Sequence, residues 1–279
     1  MNSPTFSNFF FKKNLGQNFI FDVAFLDSIV RELGLSKDDT VVEVGTGAGT
    51  LTQSLARVCG RVITYEIDKR LEPVLQERLK DFDNVELHFQ DAMKAADFPP
   101  EFKLVANIPY YITTPLILKF LGLSACCEIC VLVQDDVARR IVASPGGKDY
   151  GALSVTLQAQ AECRIIKNAP RRMFTPVPGV DSAFVTIRKP PPRGRHGTPF
   201  RKGGPLEEEK YDGAGDVFAR LVKGMFAARR KTALNALKQA FGFDTETARQ
   251  KLESCGIDPS VRPEQIPVEK FVKLSQILQ

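Results

Sequence analysis

Between Asp39 and Thr186 the chain repeats one pattern, a short apolar run followed by a helical periodicity. The runs are Val41–Val44, Arg61–Tyr65, Val85–Phe89, Leu104–Ala106 and Cys130–Val133, with a later one at Ala183–Ile187. Strands alternating with helices predict a mostly parallel, doubly wound α/β sheet. A sheet of that kind binds ligands in the crevice beyond the carboxyl ends of its strands, so the loops that follow the runs are where chemistry is expected. A length of 279 residues accommodates such a core and a smaller domain beside it.

The second domain shows in a change of composition. Lys189–Gly215 holds Pro190-Pro191-Pro192, six glycines and the run Glu207-Glu208-Glu209-Lys210, with almost no apolar periodicity, and reads as a flexible linker or insertion. Beyond it Phe218, Leu221, Val222, Met225 and Phe226 share one helix face, as do Val268, Phe271, Val272, Ser275 and Leu278. The expected organisation is a catalytic domain over 1–188, a linker over 189–216 and a helical domain over 217–279. Residues 217–279 carry eleven Lys or Arg against six Asp or Glu, an excess equal to the net charge of +5 of the whole chain. Arg220, Lys223 and Arg229-Arg230-Lys231 are left for the exposed side, where they suit phosphates of a polyanion, or form a plain solvated face.

Other classes are disfavoured. No apolar stretch has the length of a bilayer span, and Phe9-Phe10-Phe11 is too short for a signal-peptide core, so a cytoplasmic protein is expected. Six cysteines, at 59, 126, 127, 130, 163 and 255, lack the spacing of a disulfide framework. Cys127 and Cys130 have no second pair to complete a zinc site and fall on opposite faces of a strand, as core thiols do.

Val41-Val42-Glu43-Val44 runs into Gly45-Thr46-Gly47-Ala48-Gly49, and a helical pattern begins at Leu51. Glycines let a backbone turn closely around a ligand, and Glu66, ending the run Val62–Tyr65, is placed to accept from both hydroxyls of a ribose. A dinucleotide and S-adenosylmethionine both satisfy that much. The dinucleotide fingerprint needs glycine at 50, where this chain has Thr50, which weakens the pyrophosphate reading. Asp91, after Val85–Phe89, adds a carboxylate suited to an adenine amino group. A nucleoside cofactor without a pyrophosphate fits better, against the bland reading that glycines and acids merely end strands.

Asn107-Ile108-Pro109-Tyr110 follows the strand-like Leu104-Val105-Ala106. An asparagine carbonyl and a backbone carbonyl can both accept hydrogen bonds from an aromatic amino group and draw its lone pair out of conjugation, which makes the nitrogen nucleophilic. Pro109 fixes φ and brings no competing N–H, and Tyr110 offers a stacking face. The combination suits methylation of an exocyclic amine. An ordinary Asn-x-Pro turn is the competing reading.

Taken in order, these segments resemble the ribosomal RNA adenine N6-dimethyltransferases. The resemblance also takes in Asn14-Leu15-Gly16-Gln17-Asn18-Phe19-Ile20, Gln90-Asp91-Ala92, Tyr150-Gly151-x-Leu153-Ser154-Val155, Phe174-Thr175-Pro176-x-Pro178-x-Val180-Asp181-Ser182-Ala183 and Arg229-Arg230-Lys231-Thr232. It implies a Rossmann-like S-adenosylmethionine-dependent methyltransferase sheet with a small all-helical C-terminal domain. Asn18, Ile20, Gly45, Gly47, Glu66, Asp91 and Asn107 would line the cofactor pocket. Asn107, Pro109, Tyr110 and Phe174 would form the catalytic set, with Tyr110 and Phe174 enclosing an adenine taken out of its stack. Phe174 has a competing role as a core aromatic, and Pro176 and Pro178 would stiffen its loop. Neither a metal nor a general base is required, because the sulfonium of the cofactor is already an activated methyl donor.

The implied activity is N6-dimethylation of two adjacent adenosines near the 3′ end of 16S rRNA, in the small ribosomal subunit or its precursor, by a monomer with a role in subunit biogenesis. Two alternatives are a 23S rRNA adenine N6-methyltransferase and a non-catalytic RNA-binding assembly or transcription factor on the same fold. Intact Asn107, Pro109 and Tyr110 favour catalysis. Tyr111, where the family often has a smaller polar residue, and the long 189–215 segment depart from the pattern.

Overall fold

The computed structural model describes residues 18–190, 215–227 and 230–279. Residues 191–214 of the expected linker, Asn14–Gln17 and Arg229 lie outside them. In chain order come β1 (Phe19–Ile20), α1 (Val23–Glu32), β2 (Thr40–Val44), α2 (Thr50–Val58), β3 (Arg61–Tyr65), α3 (Glu72–Leu79) and β4 (Val85–His88). Next are β5 (Phe102–Ala106), α4 (Tyr110–Leu121), β6 (Cys126–Gln134), α5 (Asp135–Val142), α6 (Ala152–Gln158), β7 (Glu162–Ala169), β8 (Phe174–Thr175) and β9 (Ser182–Arg188).

Seven strands form one sheet in the order β4-β3-β2-β5-β6-β9-β7. From β4 to β6 every pairing is parallel, and β9 joins β6 antiparallel. This is the mostly parallel, doubly wound sheet that the apolar runs predict. The runs are readable because central strands are covered on both faces and become continuously apolar: Val41, Val42, Leu104 and Ile129 are all buried. By contrast β7 has no such run. It ends the sheet, and its residues are mostly half-buried or exposed, so no pattern marks it.

The order of the strands decides where a ligand can sit. From β2 the chain winds to β3 and β4 on one side and then crosses to β5 on the other, so the switch point lies between β2 and β5. Val44 pairs with Ala106 in register, which brings the following residues, Gly45 and Asn107, together. Gly45 has φ of 86°, and a Cβ there would stand 2.9 Å from the carbonyl oxygen of Asn107. Only glycine permits that approach. A separate two-stranded ladder pairs Phe19 with Thr175 and Ile20 with Phe174.

The described residues gather into two compact units, one of residues up to Ala138 with Ile165–Arg188, the other of Arg139–Arg164 with the chain beyond Lys189. The segment Arg139–Arg164, expected within a domain ending at 188, therefore packs with the helical part. The reason is apolar burial: Tyr150 and Val155 are fully buried in one cluster with Phe218, Leu221 and Phe271, and the Tyr150 Oη donates to the Ile266 carbonyl at 2.9 Å.

In that unit α7 (Gly215–Ala227), α8 (Ala233–Phe241), α9 (Thr245–Ser254) and α10 (Val268–Ile277) follow one another. Side chains cap two of them: Thr232 accepts from the Asn235 N–H, and Asp244 from the Thr247 N–H at 2.8 Å. The predicted stripe Phe218, Leu221, Val222, Met225, Phe226 is buried. On α10 the buried face is Val268, Phe271, Leu274 and Ser275, with Val272 and Leu278 at its margin. Arg220 is exposed, as expected, and is also engaged within the unit. Its guanidinium donates twice to the Ala240 carbonyl and lies 4.6 Å from the centre of the Phe241 ring, tying α7 to the end of α8.

Gly224 sets how closely α7 and α8 pack, because a Cβ on it would come within 2.4 Å of the Ala240 Cβ. Gly224→Ala gains ~1 kcal/mol of helix propensity but forces the helices apart, at a cost of about 1–3 kcal/mol. Net destabilisation is expected in denaturant unfolding. A variant more stable than the parent would mean that the contact yields freely.

Candidate active site

A cavity of about 320 Å³ occupies the crevice beyond the carboxyl ends of β2, β3 and β5. Asn18 and Ile20 line it from β1 and the residue before it, Gly45 and Gly47 from the loop after β2, Glu66 from the end of β3. Asp91 follows β4, and Asn107, Pro109 and Tyr110 follow β5. Nine of the ten residues singled out in the sequence thus border one space, although they come from five separate stretches of chain.

Glu66 is held rigidly. Its Oε2 accepts from the Gly47 N–H at 2.8 Å and its Oε1 from the Asp68 N–H at 2.8 Å. Burial raises its pKa, and these backbone donors oppose the rise. Each carboxylate oxygen retains acceptor capacity, so the group can take two further hydroxyl donors. Gly47 has φ of 56°, and a Cβ there would meet the Phe19 ring at 2.8 Å, so this glycine also lets the loop close against β1.

The Asp91 Oδ1 accepts from the Met93 N–H at 2.9 Å. The loop behind it is clamped by Lys119, whose ammonium donates to the carbonyls of Ala92 and Met93 at 2.9 Å and Ala95 at 2.7 Å. No sequence signal points to this lysine, because its partners are more than twenty residues away and are backbone atoms. Ile67 is a second residue that the sequence reading passed over. It lines the cavity with its side chain 59% exposed, directly after Glu66. An apolar residue immediately after an acidic strand end was the available signal.

Asn107 donates from Nδ2 to the Asn18 carbonyl at 3.5 Å, a long contact that leaves Oδ1 as the acceptor end of the amide. Pro109 caps α4, and its carbonyl accepts from the Thr113 hydroxyl at 3.3 Å. Tyr110 is half-buried, and its Oη shares a 2.7 Å hydrogen bond with the Ser182 hydroxyl. Phe174 is not brought to the cavity. Its side chain is 1% exposed, packed in the apolar cluster with Ile20, Leu26 and Phe184, so the ring's faces are taken up by core contacts.

Beneath the glycine loop lies a polar chain that the sequence did not signal. Fully buried Glu43 accepts at Oε2 from the hydroxyls of Thr52 and Thr64, both at 2.6 Å, and Thr64 in turn bonds Thr46, a cavity residue, at 2.7 Å. Its Oε1 has no hydrogen-bond partner among the described residues. Burial dominates and pushes its pKa up to about 8, with the charge of Glu66 adding to the rise.

Residues 8–279 match the family described as Ribosomal RNA adenine dimethylase. The protein named Ribosomal RNA small subunit methyltransferase A from Ligilactobacillus salivarius is 40% identical over 283 residues, covering 96% of this chain and 90% of that relative. Its namesake from Caldanaerobacter subterraneus subsp. tengcongensis is 38% identical, covering 96% of this chain and 97% of that relative. Among solved structures, the 23S rRNA methyltransferase ErmE superposes with a TM-score of 0.71 at 25% identity, over 92% of this chain and 98% of that one. A dimethyladenosine transferase from Plasmodium falciparum gives 0.76 at 24% identity, over 92% and 95%, and is similar in fold.

Glu43 makes stability depend on pH with a definite sign. Its folded pKa of about 8 stands above the ordinary 4.5, so between those values the folded protein holds a proton that the unfolded chain releases. The contribution is complete below about 4.5 and is lost as pH rises towards 8. Glu43→Gln, which resembles the protonated form, should gain on the parent steadily across that window and hold a constant difference above it, measured by urea unfolding at several pH values. A stability difference independent of pH would show that Glu43 is ionised in the fold.

Proposed function

This chain belongs to the ribosomal RNA adenine dimethylase family, and from that membership we propose that its cavity binds S-adenosylmethionine and methylates N6 of two adjacent adenosines near the 3′ end of 16S rRNA, within the small ribosomal subunit or its precursor. The observation that carries this reading is the meeting, in one crevice, of the glycine loop with Glu66 and the Asn107–Tyr110 turn.

The residues fit that cofactor. Glu66, with both oxygens already oriented by backbone N–H groups, suits a pair of ribose hydroxyls. Asp91, on its clamped loop, suits the adenine amino group, and exposed Ile67 suits the face of the base. Gly45 and Gly47 let backbone approach. When bound, S-adenosylmethionine supplies an activated methyl group on a sulfonium. The rest is done by the protein. Asn107 Oδ1 and the Ile108 carbonyl accept the two hydrogens of the adenine amine, which draws its lone pair out of the ring and aims it. Tyr110, fixed through Ser182, presents a ring on which the extruded base can stack. For Phe174 to take the other face, its ring must leave the core cluster. Lys223, Arg230 and Lys231 are exposed on the helical unit and suit phosphate contacts, although Lys231 also donates to Gln239 at 2.8 Å.

The curated relatives near 40% identity carry a small-subunit name, whereas the 23S enzyme ErmE stands at 25%. Labelled-methyl transfer to unmethylated small-subunit particles and, in parallel, to 23S rRNA, followed by primer extension across both ribosomal RNAs, tests the choice. Stops at two neighbouring adenosines in 16S rRNA are expected. Stops confined to 23S rRNA would favour the second enzyme class, and no transfer to either would favour an assembly factor.

Two substitutions separate the roles. Glu66→Ala should weaken S-adenosylmethionine binding by about 1.5–3 kcal/mol in calorimetry, as the loss of charged hydrogen bonds does. Asn107→Ala should lower kcat ~10²-fold or more while particle binding stays near normal, since its carbonyl acts on the reacting amine. Near-normal turnover in the second variant defeats the proposed activation.

A further inference from the structure

Tyr110 and Tyr111 are consecutive, but only the first is accounted for by the reaction. Adjacent helix residues point about 100° apart, so with the Tyr110 ring anchored through Ser182 at 2.7 Å, Tyr111 is turned elsewhere. Its side chain is 65% exposed and borders the same cavity. It makes no hydrogen bond to any described residue. Ile67 is the other large apolar side chain that is both exposed and on the cavity wall among the described residues. The sheet order separates the two, because Ile67 follows β3 and Tyr111 is the second residue of the helix after β5, with β2 between. Ile67 therefore stands on the Glu66 side and Tyr111 on the Asn107 side, where the accepting amine must enter.

We propose that Tyr111 is a stacking platform for the nucleobase next to the adenosine being methylated, and so helps select the RNA strand. The proposal rests on the functional reading above. Extruding one base leaves its neighbour with an open face, and an aromatic ring at the mouth covers that face. The side chain is suited to this task. It is aromatic, flat and solvent-exposed, and the stiff proline-capped start of α4 holds its backbone. Stacking is tolerant of base identity, so the contact favours any purine or pyrimidine that follows the target over an abasic or double-stranded position. Tyr111 touches neither cofactor carboxylate nor the reacting amine and is a specificity residue, not a catalytic one.

The test uses the full chain, S-adenosylmethionine and unmethylated small-subunit particles, with Tyr111→Ala and Tyr111→Phe beside the parent. Tyr111→Ala should raise KM for particles roughly ten-fold, the scale of one lost base–ring stack, with kcat changed less than two-fold. Tyr111→Phe should behave as the parent, since the ring and not the hydroxyl is used. Cofactor affinity by calorimetry and the unfolding midpoint should be the same in all three, as an exposed side chain predicts. If Tyr111→Ala keeps the parent KM, or Tyr111→Phe loses as much as Tyr111→Ala, or cofactor affinity falls in step, the platform is overturned while the methyltransferase reading stands. If the parent itself transfers no methyl group to the particles, both readings fall together.

Discussion

The parallel pairing of β2 with β5 is the constraint on which the site depends. Because Val44 and Ala106 are in register, the loops that leave these strands emerge side by side, one rich in glycine and the other opening with Asn107. The approach is so close that a single Cβ on Gly45 would stand 2.9 Å from the Asn107 carbonyl. A one-residue slip would reverse which side chains face each layer and separate the two loops, so the apolar runs that fix the register also fix the site. The two strands on the β2 side then contribute Glu66, through β3, and Asp91, through β4.

The polar groups of this crevice are mostly held by main chain. Glu66 is bound by two backbone N–H groups, Asp91 by a third, and Lys119 grips three carbonyls of the Asp91 loop. Such partners cannot reorganise without moving the fold, which is the preorganisation that charge recognition in a partly dry site requires. Glu43 follows another logic. It is buried with hydroxyl partners alone, so desolvation outweighs hydrogen bonding and the proton is retained to about pH 8. Of these two glutamates, Glu66, in contact with the cavity, is bound by main-chain donors, and Glu43, beneath the loop, is not.

Much of the first unit could be read directly. Apolar runs located six strands, since central strands of a two-sided sheet have almost no polar positions. Gly45, Gly47, Glu66, Asp91 and the Asn107–Tyr110 turn were visible because each ends such a run. The edge strand β7 lacked the pattern, and the domain limit at 188 missed that Tyr150 and Val155 belong to the helical core. Both failures concern burial against elements distant in sequence, which local periodicity does not record. Lys119 and Glu43 escaped for the same reason: their partners lie elsewhere in the chain.

Sequence alone therefore determined the kind of sheet, the helical C-terminal part, the residues proposed for a nucleoside cofactor and an aromatic amine, and the family they resemble. Those are properties of composition, spacing and residue chemistry, and each is local. Tertiary structure decided which of them share a space. It gathered Asn18 with Asn107 across 89 residues, committed Phe174 to the core, tied Arg220 to Ala240 and left Tyr111 open at the cavity mouth. Whether an aromatic ring is buried or exposed follows from what packs over it, and that depends on strand order and helix packing, which no single segment encodes.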